Sequence, residues 1–541
     1  MTLHDRRGLA VSTANPASLE GYEQALDLTA SYFVDPLATI NKALEADPTF
    51  AAGHCLRAAL ALMSSERGAL PILEESVTAI EALSGRANER ERMHAAAGRA
   101  RLGGDFARSI RLYGDIVVDY PRDLLAVQIA HVGDFFLGQS TLLRDRMAQV
   151  LPHWNETVPG YGYVLGMHAF GLEETANYAG AEATGRRALE LNPRDPWAVH
   201  AVAHVMEMQG RLRDGIDWLT TRQADWSVDN GLAYHNWWHL GLFHLDLGDS
   251  ARAVELYDTC IRPGQSSVAL EMVDASAMLW RLMLRGVDVG ARWQPLADAW
   301  RPLATESFYA FNDAHAVMAL VGAGRWNEVD DVLGALERAA SEPGTNATMS
   351  REVALPVARA FASFGQGRLR SGDRRPAASA GACESLRRQP RPARHRAPDA
   401  DRVRGARGTH VAGPRAQPMH SVRPSSRPGP SPPELRQRFT THQRHQERTM
   451  RTLISEVLLP ASAAVGLLGM LAIPPATAED RVPQPEASVT MAAVSTPVAS
   501  AHRTAPSRSA TERAETPSNP TIEPRCERVE RIGKFAITRC R

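Results

Sequence analysis

Four times along this chain an apolar helical stretch is halted by a proline. KALEADP ends at Pro48, DIVVDYP at Pro121, RALELNP at Pro193 and, more faintly, LYDTCIRP at Pro263. The prolines stand 73, 72 and 70 residues apart. Proline cannot continue a helix, and it pushes the residue before it out of α geometry, so each mark fixes a helix end. A chain marked in this way at a fixed period is constrained to stack like units, each burying one face on its neighbours.

Each interval holds two units of about 36 residues, near the tetratricopeptide repeat length of about 34. Between the marks the apolar residues recur with the helical period, as in YEQALDLTASYF (22–33), FARSIRLYGDIV (106–117), PWAVHAVAHVMEM (196–208) and WNEVDDVLGALERA (326–339). Turn-forming residues fall where helix pairs must reverse, at Gly103-Gly104-Asp105, Gly210, Gly248-Asp249 and Gly322-Ala323-Gly324. No stretch of strand length alternates. The spacing therefore predicts an all-α, tetratricopeptide-like helical-repeat solenoid over residues 1–365, with a long concave surface.

Charge and aromatic content divide the chain at the same place. Residues 1–365 hold 31 basic and 46 acidic side chains, and residues 366–541 hold 30 and 15, so the net charge of zero joins two unlike parts. All ten tryptophans lie between Trp154 and Trp326, and Tyr309 is the last tyrosine. The packed core is thus expected in the first part. Of the five cysteines, none forms a CxxC or a zinc-knuckle spacing, and Cys55 and Cys260 read as buried reduced thiols. The N-terminus has no apolar run of signal-peptide length, so the expected location of the folded part is cytoplasmic.

Long words fill the middle of the chain: HAVAHVMEMQGR (200–211), HNWWHLGLFHLDLGD (235–249), LEMVDASAMLWRLMLRGVDVG (270–290) and FNDAHAVMALVGAGR (311–325). With DPTFAAGHCLRA (47–58) they resemble the tetratricopeptide repeat protein 38 family over about residues 5–365. The resemblance implies an α-helical repeat fold and no established enzymatic activity.

Two pairs of histidines carry the only distinctive chemistry. His200 and His204, with Glu207 three residues on, share one helical face, and His235 and His239 repeat the four-residue spacing. His244 lies about 140° round the same helix and cannot simply join them. Asp274, Asp313 and His315 sit on later helices and can face the same concave surface. Four imidazoles so placed can ligate zinc or another borderline metal, with carboxylates behind them. Neither pair is HExxH, because the words are HAVAH and HNWWH, so the general base of that motif is missing. The competing reading is a set of core histidines bonding across helix interfaces beside Trp197, Trp237 and Trp238. The adjacent Trp237 and Trp238 cannot face one way; one is expected in the core and the other at a groove or repeat interface. No P-loop or GxSxG is present, and GYGYVLG (160–166) has the wrong spacing for a dinucleotide fingerprint.

Residues 366–449 are rich in arginine and proline and read as disordered. Their Arg, Pro, Ala and Gly bias is also what a GC-rich gene yields when read out of frame. Codons chosen for Arg388–Arg396 give, one base later, a word like one the family carries at that place. The segment is therefore expected to be frameshifted. Met450 opens a signal-peptide-like segment (450–478) with an A-x-A site at Ala476-Thr477-Ala478. Residues 457–473 would alternatively make a marginal membrane anchor, weakened by Pro460 and Gly466. The Pro/Ser/Thr-rich remainder, 479–541, reads as a disordered tail in which Cys526 and Cys540 suit an oxidising compartment.

The leading expectation is a non-enzymatic scaffold that binds an unknown protein or peptide on the concave face, with no cofactor, no nucleic acid and no membrane partner. The rival is a metal-dependent or small-molecule enzyme built on His200, His204, His235 and His239. A third reading, binding of RNA or a membrane through the basic tail, depends on that tail being genuine.

Overall fold

A computed structural model of the chain describes residues 3–367 and the backbone of 526–532 and 535–540. Among the described residues, nine helix-turn-helix pairs follow one another from Pro16–Ser31 with Pro36–Ala46 to Ala310–Gly322 with Trp326–Ala339. This is the all-α, tetratricopeptide-like solenoid that the repeat spacing predicts.

The helix ends have local causes. Helices Pro36–Ala46, Phe106–Asp119 and Tyr178–Leu191 stop one residue before the X-Pro turns at Pro48, Pro121 and Pro193. The fainter mark at Pro263 follows helix Ser250–Leu256 and a π-helical turn, Tyr257–Ile261. Starts are set by acceptor side chains. Asp35, Asp123 and Asp195 cap the helices that begin at Pro36, Leu124 and Pro196, each accepting from amides of the first turn. Gly210 and Gly248 adopt positive φ at the turns between paired helices, a conformation that costs glycine nothing.

The inner helices are largely buried. All 13 residues of Leu124–Phe136 are buried, as are the first 11 of Pro196–Met208. Two devices fill the concave side. The end of the first helix runs across it: Gln128 Nε2 donates to the Thr29 carbonyl at 2.9 Å, Asn230 Nδ2 donates to the Ser31 carbonyl at 3.0 Å, and Tyr32 stacks on Trp197 at 5.5 Å. The turns after Leu62 and Leu102 then meet the last repeats. Asn312 Nδ2 donates to the Ser65 carbonyl at 3.0 Å, the Thr345 amide donates to the Gly104 carbonyl at 3.1 Å, and Glu66 accepts from the Ala269 amide at 2.9 Å. The superhelix closes on itself.

The last described helix, Leu355–Gly365, packs on the final pair, with Phe361 buried at 5.0 Å from the Trp280 ring. No helix among the described residues is long and apolar enough to cross a membrane. The expectations for 366–449, 450–478 and most of 479–541 lie outside the described residues. Within the last of these, Cys526–Ile532 and Phe535–Cys540 form an antiparallel hairpin with Cys526 opposite Cys540. The two-residue strands Leu3–His4 and Ala10–Val11 also pair, too short to leave an alternating pattern.

Candidate functional site

Helix Pro196–Met208 carries His200 and His204, and helix Ala233–Asp246 carries His235 and His239. The four-residue spacing places each pair on one face, and adjacent repeats turn those faces together. All four rings are buried, and one ligand atom from each lies within 4.8 Å of the others. The centroids of neighbouring rings are 4.3 to 5.0 Å apart, from His200–His204 to His200–His239. His235 Nε2 lies 3.1 Å from His200 Nε2 and 3.1 Å from His239 Nε2. In a tetrahedral zinc site with bonds of about 2.0–2.1 Å, adjacent nitrogens stand about 3.3 Å apart.

Carboxylates hold the outward nitrogens. His235 Nδ1 is 2.7 Å from Asp274 Oδ2, on helix Ala269–Leu284, and His239 Nδ1 is 2.9 Å from Glu207 Oε2. His204 Nδ1 stands 3.5 Å from Glu173 Oε2, at the end of helix Tyr161–Glu173. A ring whose Nδ1–H donates to a carboxylate keeps its lone pair on Nε2, the tautomer that ligates metals. His235 and His239 then present two lone pairs to each other. A proton on His200 Nε2 satisfies only its own contact with His235, so one repulsive contact remains. A cation between the nitrogens would replace that repulsion with bonds.

Electrostatics favour the neutral, ligating state at three of the four rings and oppose it at His204. Burial, reinforced by neighbouring rings, lowers the His200 and His235 pKa values well below the ordinary imidazole value and brings His239 to about 4, so these rings are neutral at pH 7. Burial also acts to lower His204, but Glu173 and its other acidic neighbours outweigh it and the net shift is upward. Burial raises the Asp274 carboxyl well above its usual range, whereas Glu207 is lowered because the bond from His239 overcomes burial. A dication would stabilise both carboxylates. Apolar and aromatic walls dry the centre: Trp238 stacks on His235 at 5.4 Å, and Phe170 meets the His204 ring edge at 5.5 Å. Four imidazoles would close a tetrahedral sphere; withdrawal of His204 toward Glu173 would open one position.

Asp274 and Glu207, both noticed in the sequence, join the site. Asp313 and His315 do not: His315 Nδ1 bonds the Phe311 carbonyl at 2.9 Å, and neither belongs to the four-histidine group. His244 turns to Asp249 at 3.3 Å, as its angle on the helix requires. Trp237 and Trp238 diverge, yet both are buried, with Trp237 against Trp226 at 4.8 Å. Cys55 and Cys260 are buried free thiols. Sequence reading missed Glu173 and Glu174; the signal was two acids closing the otherwise apolar helix YGYVLGMHAFGLE.

No family model matches the chain. Cellulose synthase 2 operon protein C of Komagataeibacter xylinus is 31% identical over 188 residues, covering 31% of this chain and 14% of that protein. The chain thus matches only a small part of that relative's length. Among solved structures, the APC/C hetero-tetramer Cut9–Hcn1 aligns with TM-score 0.29 at 12% identity, over 68% of this chain and 76% of that one. Yeast Tom70 aligns with TM-score 0.33 at 11% identity, over 70% and 91%. A human IFIT1 dimer with PPP-AAAA aligns with TM-score 0.31 at 12% identity, over 69% and 90%. Scores this low establish no shared function, and the fold assignment rests on the helix pairs themselves.

Proposed function

We propose that the solenoid is a cage for a borderline divalent metal ion, zinc being the reference case, held by His200, His204, His235 and His239. The observation that carries this reading is the convergence of the His200, His235 and His239 Nε2 atoms at 3.1 Å contacts, with carboxylates on the Nδ1 atoms of His235 and His239. A purely structural cluster would spread its acceptors among donors. Metal analysis of the full chain after zinc loading and exhaustive dialysis tests it. At least one equivalent is expected, with loss from the His200→Ala/His204→Ala double variant. Sub-stoichiometric metal, with wild-type stability of the double variant, would remove the metal reading.

A second reading concerns partners. Stacked helix pairs make a scaffold suited to protein contacts, and the filled concave side leaves the outer helices to make them. On the words at 200–211 and 235–249 we place the chain with the tetratricopeptide repeat protein 38 family. Native cross-linking tests the partner reading: cross-links from outer-helix lysine or acidic positions to one recurring protein support it. Monomeric, uncross-linked protein in native extract opposes it.

A further inference from the structure

Where the ends of the superhelix meet, a small, partly enclosed cavity remains, lined by Ser65, Arg101, Phe106, Phe308, Thr345 and Met349 among others. As it stands it has room for about one or two waters. We propose that this cavity binds the carboxylate group of a small organic acid. The Arg101 guanidinium is its anchor, and the Ser65 and Thr345 hydroxyls are further donors.

Donors left without acceptors carry the proposal. The Arg101 Cζ lies 4.7 Å from the Phe106 ring centroid and 4.6 Å from that of Phe308, so aromatic rings hold the guanidinium in place. Its bond to the protein runs from Nε to the Leu62 carbonyl at a long 3.5 Å. Among the described residues, neither Nη group has an acceptor and no carboxylate pairs with Arg101. Other interior guanidinium groups are matched: Arg7 meets Glu23 at 2.8 Å and Arg90 meets Asp123 at 2.6 Å. Arg67, 5.3 Å from the same Phe308 ring, adds a second positive charge, and it bonds the Glu306 carbonyl at 3.1 Å rather than its carboxylate. Burial, with Arg67 close by, lowers the Arg101 pKa to about 10, so the group is still charged at pH 7.

The hydroxyls have protons to spare. Ser65 Oγ accepts from Asn312 Nδ2 at 3.1 Å and Thr345 Oγ1 accepts from the Ala107 amide at 2.9 Å. Among the described residues, neither hydroxyl hydrogen has an acceptor of its own. A cavity with surplus donors and no carboxylate of its own suits a ligand that only accepts, and an ionised carboxylate does so. Its two oxygens match the two Nη groups of an arginine in fork geometry. The small space admits that planar group and not a bulkier phosphate, while Phe106, Phe308 and Met349 offer an apolar wall to the rest of the acid.

Saturation-transfer NMR of the full chain with acetate as the probe, at fixed ionic strength, tests this. Wild type is expected to bind acetate saturably, with no displacement by equal concentrations of chloride or inorganic phosphate. Arg101→Met keeps the apolar stem and is expected to weaken acetate binding by about tenfold or more. Equal binding by wild type and R101M would put the acetate elsewhere, the histidine centre included, and would overturn the proposal. Absence of saturable binding in wild type would do the same, and displacement by chloride or phosphate would overturn the carboxylate assignment. Should R101M not fold, Arg101→Lys keeps the charge without the two-pronged donor, and undiminished acetate affinity in R101K would overturn the proposal.

Discussion

His235 Nε2 and His239 Nε2 face each other at 3.1 Å, four residues apart on one helix, while Asp274 and Glu207 occupy the far nitrogens of the two rings. Hydrogen bonding through the Nδ1 atoms commits both lone pairs to the same point. A metal ion placed between the rings, as proposed above, would take up both lone pairs.

The carboxylate behind His235 sets its tautomer and basicity. Asp274→Asn is expected to weaken zinc affinity by about 10–100-fold while leaving the fold intact, since the amide keeps the volume and can still accept from Nδ1–H. Competition against a chelator of known affinity measures this. An unchanged affinity would show that Asp274 serves packing alone.

His131 provides a clean pH test outside the cluster. It is fully buried, and burial brings its pKa to about 3. Because the folded value lies below the unfolded value of about 6.5, the folded state binds fewer protons, and stability is lost as pH falls from about 6.5 toward 3. The stability of wild type relative to His131→Gln should therefore fall by about 2–3 kcal/mol between pH 7 and 4.5. Chemical denaturation of both proteins at the two pH values reads the difference.

Closure of the superhelix rests on polar contacts between its ends. Asn312, buried at 7% exposure, donates to both the carbonyl and the hydroxyl of Ser65, 247 residues away in sequence. Asn312→Ala removes both bonds and leaves a buried carbonyl unpaired, at a cost of about 1–3 kcal/mol. The urea midpoint should fall, and amide exchange should quicken in residues 62–69 before it does so in the middle repeats.

Close packing of helix pairs depends on particular glycines. A Cβ at Gly171 would lie 2.6 Å from the Arg144 backbone nitrogen and 2.7 Å from its Cα. Backbone cannot turn aside as a side chain can, so Gly171→Ala should destabilise the fold by about 1–3 kcal/mol, with a lower thermal midpoint.

Much of this architecture was legible. The X-Pro marks at Pro48, Pro121 and Pro193 locate real helix ends because proline acts locally, and the pairing of His200 with His204 and of His235 with His239 follows from helical geometry alone. That the two pairs meet is a tertiary fact, set by how one repeat turns on the next. The filled concave side was not legible for the same reason. Asn312 with Ser65 and Tyr32 with Trp197 join segments whose separation leaves no periodic trace. Glu173 was passed over because a carboxylate at a helix end ordinarily means solvent, whereas here the next repeat covers it.

The most direct test of the central claim is X-ray absorption spectroscopy of the zinc-loaded full-length protein. The account predicts a nitrogen/oxygen shell at about 2.0–2.1 Å with the outer-shell scattering of at least three imidazoles and no sulfur shell. A spectrum with fewer than two imidazoles, or with a sulfur shell at about 2.3 Å, would contradict it.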